Sequence, residues 1–78
     1  MESIVATMRN AQHNVAYNDL YKVCVHYFGE PRQSGSSHAV FKTSWQGDPR
    51  VNIQSSKGKA KAYQVRQVLK VIDKMEAP

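Results

Sequence analysis

Apolar residues recur along this chain with two periods. Leu20, Val23, Cys24 and Tyr27 fall at the three- and four-residue spacing of one helix face, with Phe28 at its border. Asn18 stands where an N-cap would, Asp19 suits the positive end of the helix dipole, and Gly29 followed by Pro31 stops the pattern. A helix is therefore predicted over 18–28. Ala62, Val65, Val68, Leu69 and Ile72 form a second stripe, predicting a helix over 60–75 with Gln64, Gln67, Lys70 and Lys74 away from its centre. A shorter pattern, Ile4, Val5 and Met8, predicts a helix over 2–11, followed by a polar connection from Asn10 to Asn14.

Between the longer helices the period changes to two. Ala39, Phe41 and Thr43 alternate with His38, Val40 and Lys42, and Val51 and Ile53 alternate with Arg50, Asn52 and Gln54. Strands are predicted over 38–43 and 50–54, with a shorter edge strand around 30–33, because Pro31 cannot donate a ladder hydrogen bond. The Ser34-to-Ser37 stretch reads as a turn in which Gly35 supplies a positive φ, and Ser44 to Pro49 reads as a second turn. Ser55 to Lys59 reads as a basic loop.

The expected fold class is α+β. Its elements are a three-stranded antiparallel sheet, both longer helices on the face carrying Ala39, Phe41, Val51 and Ile53, and a short N-terminal helical extension. Residues 1–16 are read as that extension and 17–78 as the domain. The opposite face would present His38, Lys42, Arg50, Asn52 and Gln54 to water, with Val40 exposed among them.

Charge narrows the partner. The 78 residues carry 11 Lys and Arg against 6 Asp and Glu, a formal net charge of +5. That excess favours an acidic partner, and nucleic acid is the first to consider. No apolar run is long enough for a membrane helix, so no membrane partner is expected. The start lacks the basic and apolar regions of a signal peptide, and the expected location is the cytoplasm. The lone cysteine, Cys24, lies within the apolar stripe and reads as a core side chain.

One histidine sits where chemistry can use it. His38 begins a strand on the face that also carries Lys42, beside a turn led by Arg32. Cleavage of RNA by the neighbouring 2′-hydroxyl needs a base, an acid and positive charge on the phosphate. Imidazole can serve as base or acid because its ordinary pKa of about 6.5 keeps both forms available. The alternative is a histidine that only caps a turn. Arg32, Lys42 and Arg50 are candidate phosphate ligands, as are Lys57, Lys59 and Lys61 around the start of the last helix. Each taken singly also reads as a solvated surface charge. Ser36 and Ser37 either donate to phosphate or only shape the turn, and Trp45 either stacks on a base or packs at a sheet edge. His13 and His26 lack metal-site spacing to His38, and the carboxylates are scattered, which argues against a two-metal nuclease. No metal and no small-molecule cofactor is expected.

Several of these stretches, in order, resemble the HicA toxin family, the mRNA-cleaving half of bacterial HicA–HicB toxin–antitoxin pairs. Arg32-Gln33 before Gly35 resembles its Arg-Gln-x-Gly lead-in, and Ser37-His38 before Val40-Phe41 resembles its Ser-His signature and strand. Val51-Asn52-Ile53 resembles its third strand, and Lys57-Gly58-Lys59 with Val65 to Lys70 its basic loop and closing helix. The resemblance covers about residues 18–74. The turn here reads Gly35-Ser36-Ser37-His38, one residue longer than the family's Gly-Ser-His, and Ala39 stands where many members carry a second histidine. The resemblance implies a double-stranded-RNA-binding-like α-β-β-β-α fold and a metal-independent endoribonuclease with His38 as its catalytic residue. It also implies mRNA as substrate and a HicB-like antitoxin as protein partner. Two alternatives remain: an RNA-binding module without catalysis, and an interaction domain whose basic face binds an acidic protein.

Overall fold

The structure, a computed structural model, describes residues 1–35, 37–43 and 50–76. Its elements run α1 (Glu2–Asn10), α2 (Tyr17–Phe28), β1 (Gln33–Ser34), β2 (His38–Lys42), β3 (Arg50–Ser56), β4 (Lys59–Ala60) and α3 (Ala62–Glu76). The strands form one antiparallel sheet in the order β1-β2-β3-β4, an α+β architecture with three helices.

The expected inner face is the buried one. Ala39, Phe41, Val51 and Ile53 are all buried, and they meet Leu20, Val23 and Cys24 of α2 and Val65, Val68, Leu69 and Ile72 of α3 in one core. The alternation in β2 and β3 and the stripes on the helices thus bury complementary surfaces against one another. Phe41 anchors the aromatic part, with ring centroids 5.7 Å from Tyr21 and 6.3 Å from Phe28. Burial pushes the Cys24 thiol up to about 12, as expected of a core side chain.

α1 is packed on α2 and α3 and gives Val5 and Met8 to the same core. Arg9 on α1 also donates two hydrogen bonds to the Asp73 carboxylate on α3, at 2.6 and 3.3 Å. The hydrogen bond from Arg9 holds the Asp73 carboxyl below its ordinary value. The contribution of this pair is therefore present at neutral pH and fades as pH falls through the folded-state value. Both groups are open to water, so the contribution is small.

Four details depart from the sequence expectation. α2 begins at Tyr17, one residue before the expected N-cap Asn18, and its N-cap is Ala16 without a side-chain cap. Ala16 is bridged to Lys59, the Tyr17 amide donates to the Gly58 carbonyl, and the Ala60 amide donates to the Val15 carbonyl. Sheet pairing, rather than a capping side chain, thus sets where the helix starts.

Among the described residues the sheet has four strands, not three. β3 continues to Ser56, and the stretch read as a basic loop is a two-residue hairpin, Lys57-Gly58, leading into β4. Lys57 (φ 54°) and Gly58 (φ 82°) are both left-handed, as tight hairpins require. A lysine there carries the Cβ strain that asparagine tolerates better. Lys57→Asn is expected to raise stability by about 0.5–1 kcal/mol, read as a higher urea midpoint.

β1 covers Gln33–Ser34 rather than the stretch beginning at residue 30. Gln64, expected off the stripe, is buried at 4% exposure. The Ser44-to-Pro49 turn, Trp45 included, and Ser36 lie outside the described residues.

Candidate nucleic-acid interface

Because paired residues in an antiparallel sheet share a face, the register defines the surface opposite the helices. His38 pairs with Gln54, Val40 with Asn52, Lys42 with Arg50, Gln33 with Val40, and Ser56 with Lys59. All of these except the half-buried Val40 are exposed. The outer face is therefore polar and basic around one aliphatic side chain. His38, Lys42, Arg50, Asn52 and Gln54 lie on the face expected of them.

Hydrogen bonding fixes how close these pairs come. The Ser55 amide donates to the Ser37 carbonyl at 2.8 Å, and the Gly35 amide donates to the His38 carbonyl at 2.9 Å. His38 therefore turns its backbone toward β1, and His38–Gln54 is a non-hydrogen-bonded pair with Cα atoms about 4.5 Å apart, the closer kind. The two side chains are immediate neighbours.

The imidazole is positioned by backbone. A Cβ placed on Gly35 would lie 2.7 Å from His38 Cε1 and 3.1 Å from Nδ1. The ring lies over the Gly35 backbone, in space only glycine leaves open. Among the described residues the positive-φ glycines are Gly29 and Gly58, not Gly35, so Gly35 serves here by its missing side chain and not by the left-handed turn the sequence suggested. Among the described residues no side chain hydrogen-bonds the ring.

The outer face divides into two shallow concavities that meet at Val40. One is lined by Arg32, Gln33, Val40 and Arg50. The other is lined by His38, Val40, Asn52, Gln54, Tyr63 and Gln64, together with Ala39 and Ile53. Arg32 and Arg50 thus come together, and Lys42 stands opposite Arg50 in the register. His38 and Lys42 share a face but are four residues apart, roughly 13 Å along the strand. Among the described residues no lysine or arginine lines the His38 concavity. His38 thus lines one concavity, and Arg32 and Arg50 line its neighbour.

The remaining candidates lie further out. Ser37 is exposed, and its carbonyl fastens the turn to β3. Lys57 sits at the β3–β4 hairpin tip. Lys59 shares the outer face at the last strand, where its ammonium donates to the Asn14 side-chain carbonyl. Lys61 precedes α3, and its carbonyl accepts from the Gln64 and Val65 amides. His13 is exposed in the connection between α1 and α2, and His26 is on α2. His26 lies in the last turn of that helix, with its ring edge-on to Tyr27 at 5.0 Å between centroids. Among the described residues no group of three His, Cys, Asp or Glu side chains converges as metal ligands would. None of the described helices is long and apolar enough to cross a membrane.

Two residues of the site were not anticipated. Tyr63, in the first turn of α3, is 57% exposed beside the His38 concavity. Gln64, next to it, accepts a hydrogen bond from the Gln54 amide at 2.7 Å through Oε1. β4 ends at Ala60 opposite Ser55, so no β4 residue pairs with Gln54, and the Gln64 side chain takes that amide instead. An exposed aromatic one residue off an apolar stripe was the available signal for Tyr63.

The chain matches no protein-family model, no curated protein and no solved structure.

Proposed function

We propose that this protein is a metal-independent endoribonuclease acting on mRNA, with a HicA-like role in the cytoplasm as a toxin neutralised by a HicB-like antitoxin. The observation that carries the reading is an exposed imidazole, seated on Gly35, on a sheet face whose other half is cationic. The run from α2 through the sheet to α3, with the helices on one face, agrees with a double-stranded-RNA-binding-like plan enlarged by one short strand.

The chemistry assigned to the site is attack of a ribose 2′-oxygen on the adjacent phosphorus. The P–O5′ bond breaks, leaving a 2′,3′-cyclic phosphate and a free 5′-hydroxyl. His38 takes the proton of the attacking hydroxyl or gives one to the departing oxygen, and water handles the other proton. Arg32, Lys42 and Arg50 hold neighbouring phosphates of the same strand, because about 13 Å separates Lys42 from His38. An antitoxin lying on this face would block RNA and imidazole together.

His38→Ala is expected to lower the cleavage rate by about 10²–10⁴-fold, the usual worth of one acid–base side chain. RNA affinity should change little. Binding should weaken with salt, with a slope near about −2 on logarithmic axes if three phosphates are contacted.

The second reading, RNA binding without catalysis, is favoured by one observation: among the described residues no lysine or arginine lines the His38 concavity. Retained salt-dependent binding with no cleavage by the wild-type protein would select it. Absence of RNA binding at low salt would reject both readings and favour an acidic protein partner.

A further inference from the structure

We propose that Tyr63 is a nucleobase-stacking platform and that the concavity between it and His38 seats one unpaired base of a single-stranded RNA. The inference rests on the RNA-directed function above and identifies what occupies that site.

Three observations carry it. The first is exposure: Tyr63 leaves more than half of its surface open at the rim of a concavity otherwise lined by His38, Val40 and amide side chains. The second is preorganisation. Gln64 is almost fully buried, and its Oε1 is committed to the Gln54 backbone amide, which turns its Nε2 outward. That nitrogen donates to the Tyr63 hydroxyl oxygen at 3.4 Å and to Gln54 Oε1 at 3.4 Å. One buried amide thereby restrains the phenol by its rim, leaving the ring face to solvent, and orients the Gln54 amide in the same concavity. The third is chemistry. An aromatic face, an aliphatic floor at Val40, and the Asn52 and Gln54 amides are the groups that stack on a base and hydrogen-bond its edge.

Charge distribution favours this occupant. The cations lie in the adjoining concavity with Arg32 and Arg50, so the phosphates neighbouring the scissile one are held there, while the His38 concavity takes the uncharged base. A base unstacked onto Tyr63 would bring its own ribose to His38. Duplex RNA would not present a base face in this way, so the strand is single.

The test is fluorescence anisotropy with two labelled oligonucleotides of equal length, one bearing uracil bases and one abasic. Both are 2′-O-methylated so that cleavage cannot consume them. The wild-type protein is expected to bind the base-bearing strand about 5- to 100-fold more tightly, the range for stacking one base. Tyr63→Ala should reduce that preference to within about twofold, and Tyr63→Phe should keep most of it. Circular dichroism confirms that each variant is folded. A preference unchanged in Tyr63→Ala, or equal salt-dependent binding of both strands by the wild type, overturns the platform and leaves the RNA-directed function standing. Failure of the wild type to bind either strand at low salt removes both.

Discussion

Phe41→Ala is expected to lower stability by about 3–5 kcal/mol, measured by urea unfolding. Phe41 is fully buried, and its ring is contacted by Tyr21 at 5.7 Å and Phe28 at 6.3 Å between centroids. Alanine would leave a void bounded by two further rings on α2 and by a sheet whose register resists collapse. A 78-residue domain has roughly 4–12 kcal/mol of stability in total. The expected loss is thus from about a quarter to the whole of that stability. A loss below about 1 kcal/mol would show that α2 does not close on the sheet through this residue.

The second large effect is expected at Gly35. Gly35→Ala should cut RNA cleavage by about 10²-fold or more while leaving the melting temperature nearly unchanged. Its Cβ would meet His38 Cε1 at 2.7 Å, closer than non-bonded carbon atoms pack, so the imidazole must move. A displacement of about 1 Å is enough for a loss of that size. The backbone gives alanine no φ penalty, since Gly35 lies outside the left-handed region. The effect would therefore separate ring placement from turn strain. Full activity in the alanine variant would mean that the ring's seat on Gly35 has no part in the chemistry.

The layered arrangement was legible because β2, β3, α2 and α3 each bury the stripe that their period marks. Phe41 and Ile53 were identifiable as core from alternation alone, and Val65 and Ile72 from helical spacing. β4 was not, because it has two residues, of which only Ala60 is buried, and its turn uses Lys-Gly in place of the commoner Asn-Gly. Gln64 was placed away from the centre of the apolar stripe, yet the helix start sets it against an unpaired strand amide. That role depends on where β4 ends, which no local pattern specifies.

The candidate site divides along the same line. His38 and the cations were found as a face, because period two assigns faces. Their grouping was not, since four residues along a strand is roughly 13 Å and a shared face does not make a shared cluster. Tyr63 was missed because it lies in a different element, 25 residues beyond His38 in the chain, and reaches the concavity only through the β3–β4 hairpin and the first turn of α3.

The decisive measurement is end-group analysis of a labelled single-stranded RNA incubated with nuclease-free preparations of the wild type and His38→Ala, with EDTA present throughout. Wild-type cleavage that leaves 2′,3′-cyclic phosphate ends, together with a product yield reduced at least about 10²-fold by His38→Ala, is the expected result. Equal cleavage by the two proteins, or cleavage that EDTA abolishes, would contradict it.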